Sequence, residues 1–470
     1  MNRPISRDGY QTIPDSDDFG GQGDYLLKEN GALVSQKRNW FWKKLSLLSI
    51  PLIITTLYIF VLGKGESVSS GASSQLSNGT HVFKPTTILI SIDGFRADYL
   101  DRGLTPNLKR IINAGSRAKF MVPSFPTVTF PNHYALATGL YPDSHGIVGN
   151  TFFDVKLNRT FSYRDHSSNI ESEWWGGEPI WTSAVLQGQY SAVHMWPGSE
   201  VSHKNVMSSY LQPFEKEFEL EDKAPQLLGW LDLPSLERPT FLGAYIPDVD
   251  TAGHDFGPNS NETRVAITKV DRALGVLLDG FNSRNLSHIV NVIVVSDHGM
   301  AEIVPERVIH LDDFIDMDLI ASHHIFPYAG LTPKDEKDTD LIYQQLKNAS
   351  LSTNFSVYKK DDIPENFHYG HNARVPPIFC IQESGWSFAT RKVYTHFEQY
   401  SDVRGLHGFD NRHPDMRAMF IAKGPAFKKG VLLEPFQNVE VYNLVCRLLD
   451  LKPAVNNGTD VFWNDKLAMP

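Results

Sequence analysis

From Leu45 to Gly63 the chain reads LSLLSIPLIITTLYIFVLG, without one charged side chain. As a helix this run reaches about 28 Å at roughly 1.5 Å per residue, close to the hydrocarbon thickness of a bilayer, and it predicts a single transmembrane helix. Pro51 is tolerable in such a helix, and Trp40 and Trp42 stand where an interfacial aromatic belt would. The run lies too far from the N-terminus for a cleaved signal peptide, so it reads as an uncleaved anchor. Residues 1–36 have no apolar period and are rich in Asp, Gly, Gln and Ser, which predicts disorder. Lys37, Arg38, Lys43 and Lys44 precede the anchor, whereas Lys64 beyond it is offset by Glu66. The positive-inside rule therefore makes residues 1–44 a cytoplasmic tail. The rest faces the lumen or the exterior, as in a single-pass type II protein.

Past the anchor, residues 64–82 carry a Ser-, Gly- and Gln-rich run that predicts a flexible stem. The soluble body opens on Thr86–Ile92, an almost unbroken apolar and β-branched run typical of a strand buried on both faces of a parallel sheet. Phe241–Ile246 and Val290–Val295 repeat that pattern. Between them, Val265, Ile267, Val270, Leu274, Leu277 and Leu278 recur at helical spacing over residues 263–279. Strand, helix, strand implies a right-handed crossover and an α/β fold, a mainly parallel sheet with helices on both faces. A strand near Arg417–Ala422 and a helix over Val439–Leu451 complete one domain over residues 83–465.

Composition narrows the function. Hydrophobic residues make up 41% and charged residues 21%, which suits a globular body with a sizeable core. Lys and Arg total 44 against 54 Asp and Glu, a formal net charge of -10, and no basic run is long enough to serve a nucleic-acid backbone. Cys380 and Cys446 are too few for CxxC metal sites; one disulfide or two buried thiols both remain open. N-glycosylation sequons begin at Asn78, Asn158, Asn261, Asn285, Asn348, Asn354 and Asn457, all beyond the anchor, in keeping with a lumenal or extracellular body that carries N-glycans.

The stretch Pro123–Asn150 reads PSFPTVTFPNHYALATGLYPDSHGIVGN. Pro131 can occupy the first turn of a helix, which puts Thr129 at the helix N-terminus, where an anion binds readily. Thr129 is then either a nucleophile for an anionic substrate or only an N-cap. The strand ends bear on that choice. Each of the three strands runs into an aspartate, Asp93, Asp250 or Asp297, and ligands of open α/β sheets bind beyond the strands' carboxyl ends. Three bare carboxylates there would repel one another, so something positive should sit among them. His254 and His298 accompany two of these aspartates, and a third histidine, His407, lies in Gly405-Leu406-His407-Gly408. Three carboxylates and three imidazoles supply six oxygen and nitrogen ligands, a set that suits two borderline metals such as zinc better than magnesium or calcium. Metal coordination would make the Thr129 hydroxyl reactive without a neighbouring base. Gly-x-Ser-x-Gly and the P-loop signature are both absent.

SIDGFRADYL, VTFPNHYALATGLYPDSHGIVGN, DVDTAGHDFGP, VVSDHGM and GLHGFDNRHPDMRAMFIAKGPAF closely resemble, in matching order, the nucleotide pyrophosphatase/phosphodiesterase family of the alkaline phosphatase superfamily. The resemblance implies an alkaline phosphatase-like α/β fold, two zinc ions and a threonine nucleophile. Asp250, His254 and His407 would hold one zinc, and Asp93, Asp297, His298 and Thr129 the other. Asn150, with the amide after the nucleophile, would bind a non-bridging phosphate oxygen, and the reaction would pass through a phosphothreonine. Phe130 and Phe214 fall where nucleotide-cleaving members stack the base; core packing is the alternative for both. His133, His145 and Thr127 read as structural.

Nucleotide-cleaving members of that family carry a long segment between the asparagine and the Glu-Pro-Ile-Trp motif, and Asn150–Glu178 resembles this full-length form, which implies nucleoside triphosphates, dinucleotides or nucleotide sugars as substrates. Lysophospholipid or choline-type phosphodiesters on the same scaffold, or a catalytically silent ectodomain, are the alternatives. Without the cysteine-rich and nuclease-like modules of larger animal members, the chain resembles a minimal, fungal-type membrane-anchored form.

Overall fold

The computed structural model describes residues 76–304, 306–391, 404–459 and 461–468. The expected cytoplasmic tail, the 45–63 anchor and the stem up to residue 75 lie outside the described residues. Among the described residues no helix is long and apolar enough to cross a membrane.

The body is built on an eight-stranded sheet of β1 (Thr86–Ile92), β2 (Ser116–Ala118), β3 (Ser191–His194), β4 (Tyr210–Gln212), β5 (Phe241–Ile246), β6 (Val290–Val295), β7 (Phe420–Lys423) and β8 (Val431–Leu433). In space the order is β8-β2-β7-β6-β1-β5-β3-β4. The three strands expected from apolar runs form its centre, and every residue of all three is buried. Ile88, Ile90 and Ile92 face one side, against Leu108, Leu227, Ile267, Val270 and Leu274 from helices Pro106–Ala114, Leu220–Leu231 and Asn261–Ser283. Leu89, Ile293 and Val295 face the other, against Leu136, Val441 and Leu444 from helices Thr129–Thr138 and Glu440–Leu448. Each fully buried aliphatic side chain contributes about 1.5–3 kcal/mol, so this two-sided layer is the main source of stability.

The sheet is mixed rather than simply parallel. β7 runs antiparallel to both β6 and β2. The reason lies in the chain path: Phe420 pairs with Val295, the last residue of β6, so β7 starts at the edge where the parallel strands end and can only run back.

Two features of the body go beyond the elements expected from the apolar pattern. Part of the stem belongs to the body: Leu76–Ser77 pairs with Val82–Phe83, Arg238 Nη1 donates to the Val82 carbonyl (2.9 Å) and its guanidinium covers the Phe83 ring. Asn78 Nδ2 donates to Arg284 O (3.0 Å) and Asn285 Nδ2 to Asn78 O (3.0 Å), so the hairpin is pinned to a helix end. Between β6 and β7 the chain also builds a second, four-stranded antiparallel sheet from Ile320–His324, Ala329–Pro333, Ile378–Gln382 and Phe355–Lys359, backed by helix Thr339–Ala349, which the apolar pattern had not revealed. Cys380 lies in this second sheet and Cys446 in helix Glu440–Leu448; both are free and buried, which settles the cysteine question in favour of separate thiols.

Candidate active site

Parallel register brings the strand-end aspartates together. Val295 pairs with Ser91, so Asp297 and Asp93 leave the sheet side by side, and the Gly94 amide donates to Asp297 Oδ1 (3.1 Å). Gly94 sits at φ +62°, and a Cβ there would stand 2.7 Å from Asp250 Oδ1; only glycine lets the third aspartate approach. Asp250 and His254 are four apart on helix Asp248–Phe256 and thus share a face, with His254 Nε2 3.4 Å from Asp250 Oδ2. His407 follows Gly405–Leu406, a short strand paired with Ala301–Glu302.

All six predicted ligands converge. His298 Nε2 lies 2.9 Å from Asp297 Oδ2 and 3.5 Å from Asp93 Oδ1. His407 Nε2 lies 3.1 Å from His254 Nε2 and 3.8 Å from Asp250 Oδ1, and its ring stacks on that of His298. Three overlapping groups could hold a metal ion: Asp250, His254 and His407; Asp93, Asp250 and His298; and Asp93, His133 and Asp297. Two observations fit such an ion. Asp93 Oδ1, Asp250 Oδ1 and Asp297 Oδ2 are buried without a hydrogen-bond partner. Each histidine also donates Nδ1–H to a backbone carbonyl (His254 to Gly405, His298 to Gly299, His407 to Thr127), which leaves Nε2 as the lone-pair donor aimed inward.

Without a cation the carboxylates strain against one another. Burial, then the Asp297 and Asp250 charges, hold Asp93 well above the usual carboxylate range, and burial also raises Asp250. Burial opposes the charge on Asp297 too, but His298 and His133 outweigh it and hold Asp297 low. His407 is pushed well down by burial, then by His298 and His254, and so favours the neutral form a ligand needs.

Thr129 is the first residue of helix Thr129–Thr138. Val128 occupies the N-cap and makes no side-chain cap, so capping does not explain Thr129. The Thr129 hydroxyl instead lies 3.5 Å from His298 Nε2. Pro131 stands in the first turn as expected and has no N–H, while the Phe130 amide donates to Asn150 Oδ1 (2.9 Å). That amide and Asn150 therefore bond to each other rather than jointly facing outward, and Asn150 Nδ2 is the donor left for a ligand. Phe130 is half-buried against Phe161, Tyr163 and Trp175, whereas Phe214 is 53% exposed, which rules out core packing for the latter.

Of the three side chains read as structural, two hold that role. His145 bonds the Pro131 carbonyl and the Ile147 amide, and Thr127 Oγ1 bridges Gly408 and Phe409. His133 is different: its Nδ1 lies 2.9 Å from Thr129 O and 3.4 Å from Asp297 Oδ2, so it touches the acid cluster. Its position four residues after Thr129 was the available signal. Tyr245, whose hydroxyl donates to Asp93 Oδ2 (2.6 Å), was missed because a strand tyrosine reads as core.

The profile of the type I phosphodiesterase / nucleotide pyrophosphatase family matches residues 87–410. An uncharacterized pyrophosphatase/phosphodiesterase of Schizosaccharomyces pombe is 44% identical over 454 residues, covering 93% of this chain and 92% of that protein. Venom phosphodiesterase 2 of Crotalus adamanteus is 38% identical over 419 residues, 87% of this chain and 50% of that protein, so this chain spans about half the venom protein's length. A solved structure of murine ectonucleotide pyrophosphatase/phosphodiesterase 5, an inactive threonine-to-alanine form in complex with AMP, matches with a TM-score of 0.76 at 35% identity, covering 82% of this chain and 100% of that one. The chain belongs to the type I phosphodiesterase/nucleotide pyrophosphatase family of hydrolases.

Proposed function

We propose that this chain is an extracytoplasmic two-zinc phosphodiesterase that hydrolyses nucleoside triphosphates, dinucleotides or nucleotide sugars to nucleoside 5'-monophosphates through a phosphothreonine. The observation that carries the reading is the Thr129 hydroxyl, at a helix N-terminus, 3.5 Å from His298 Nε2, which itself lies among the buried carboxylates of Asp93 and Asp297. Asp250, His254 and His407 would hold one zinc and Asp93, Asp297, His298 and Thr129 the other, and zinc held there supplies charge stabilisation for attacking and leaving oxygens. Thr129 Oγ1 attacks phosphorus, the bond to the leaving phosphate oxygen breaks, and water then cleaves the phosphothreonine to release the nucleoside monophosphate. The helix dipole favours the anionic phosphate at this end. Asn150, fixed by the Phe130 amide, turns Nδ2 toward a non-bridging oxygen. Phe130 and Phe214 offer rings to the base.

AMP in the murine relative, and the inactivity of its threonine-to-alanine form, support the nucleotide substrate and the nucleophile. The apolar run 45–63, the basic residues before it and the sequons beyond it support a type II anchor with a glycosylated lumenal or extracellular body. The test uses the full chain in detergent on the nitrophenyl ester of thymidine 5'-monophosphate, nitrophenyl phosphate and lysophosphatidylcholine, with and without a chelator. Chelator-sensitive turnover of the nucleotide ester is expected; turnover of the lipid alone would sink the nucleotide reading, and no turnover at all would point to a silent ectodomain.

A further inference from the structure

One guanidinium holds the loop that carries Asn150. Arg374 Nε donates to Asp154 Oδ2 (2.7 Å), and Nη1 donates to the carbonyls of Gly146 (2.7 Å) and Trp174 (2.6 Å). Nη2 adds the Glu173 carbonyl (3.1 Å). Gly146 and Asp154 bracket Asn150 in the chain. Trp174 precedes Trp175, whose ring packs against Phe130. Gly146 lies at φ +84°, and a Cβ there would stand 2.8 Å from Nη1, so the carbonyl can be drawn this close only at a glycine. Tyr369, five residues before Arg374, ties the same loop by donating its hydroxyl to the Val148 carbonyl (2.9 Å).

Carbonyls turned inward from an irregular loop need donors, or the loop takes another shape. Arginine presents five N–H donors in one rigid plane and can serve four acceptors at once; a lysine ammonium has three donors on a point and cannot match that fork. Arg374 enters from the segment that leads into the second sheet, so that sheet reaches the site through this side chain.

We propose that Arg374 is a positioning residue for the phosphate-binding end of the site. It holds the loop so that Asn150 Oδ1 meets the Phe130 amide and Asn150 Nδ2 is presented to phosphate. The inference rests on the role given to Asn150 under the proposed function, and Arg374 itself touches no reacting atom.

The test compares Arg374→Lys and Arg374→Ala in the full-length protein, with bound metal and thermal midpoint measured alongside. Hydrogen exchange should accelerate in residues 146–154 and at the Phe130 amide while Val290–Val295 is unchanged. For Arg374→Lys, kcat on the nucleotide ester should fall about 10- to 100-fold, the scale of an ångström-level misplacement, with normal metal content and a smaller change in KM. In an Asn150→Ala background the same substitution should change kcat less than about twofold, because the two effects run through one contact. Unchanged exchange, exchange accelerated throughout the chain, or a kcat loss kept in full in the Asn150→Ala background would each overturn the proposal. Local acceleration with an unaltered kcat would leave the clamp standing and sink the role of Asn150 instead.

Discussion

The Nε2 atoms of His254 and His407 face each other across 3.1 Å, and each ring has already given its Nδ1–H to a backbone carbonyl. A carbonyl only accepts, so in the neutral rings both Nε2 atoms present lone pairs. Two lone pairs at that distance repel unless a cation lies against both, and the spacing suits two nitrogens on one tetrahedral ion with bonds of about 2.0–2.1 Å. His407→Ala should therefore lower metal affinity by more than the roughly 10- to 100-fold typical of an outer-shell change. Chelator competition on the purified protein checks this, and a variant that holds metal like the parent would contradict it.

Thr129→Ala removes the proposed nucleophile and leaves six other ligands in place. Turnover of the nucleotide ester should drop by at least about 10³-fold, as expected when a covalent step is lost. Metal content should stay near that of the parent. Thr129→Ser keeps the hydroxyl and should retain measurable turnover with a trapped phosphoserine. If Thr129→Ala loses metal together with activity, the residue is chiefly a ligand.

Tyr245 is buried and donates its hydroxyl to Asp93 Oδ2 at 2.6 Å. Burial, followed by the Asp93 charge, raises the phenol well above its ordinary value, so it is a donor at neutral pH. Tyr245→Phe leaves one carboxylate oxygen unpaired, a cost of about 1–3 kcal/mol. As an outer-shell partner it should also weaken metal binding about 10- to 100-fold. Calorimetry with and without chelator separates the two effects; a variant that loses stability but binds metal like the parent would make Tyr245 merely structural.

The central strands were legible because a strand buried on both faces must be apolar throughout, and Thr86–Ile92, Phe241–Ile246 and Val290–Val295 each match their expected bounds. Once those strands are taken as parallel, their exits have to share an edge, which is why the sequence groups Asp93, Asp250 and Asp297. Strand direction is another matter. Nothing local in Phe420–Lys423 says that it runs backward; that follows from where the chain re-enters the sheet, with Phe420 beside Val295 at the edge where the parallel strands end. The second sheet was hidden because strands such as Ile320–His324 bury only part of their length and carry Ser322, His323 and His324. Contacts such as Phe130 to Asn150, or Arg374 to Gly146, depend on loop conformation and have no periodic signature.

His145 gives the fold an acid-sensitive point against the first turn of helix Thr129–Thr138. Its Nδ1 accepts from the Ile147 amide (3.1 Å), so the ring proton sits on Nε2, which donates to the Pro131 carbonyl (3.1 Å). A second proton would have to enter at Nδ1, against an N–H that already points there. Burial accordingly pushes His145 down to about 3, against the weaker opposing pull of the Pro131 carbonyl. In the unfolded chain the same ring titrates near its ordinary value of 6.5. Above about pH 6.5 the group is neutral in both states and stability does not depend on it. Below that pH the unfolded chain takes up a proton that the folded one refuses, so stability falls with acidification until the pH nears about 3. The slope from this one group approaches about 1.4 kcal/mol per pH unit. His145→Asn should flatten urea-unfolding stability between pH 6.5 and 4.5 by up to that slope, measured with chelator present so that metal release does not contribute. His203 and His194, both pushed down to about 4 by burial, keep some acid dependence in the variant. A variant with the same slope as the parent would show that His145 does not set the acid limit.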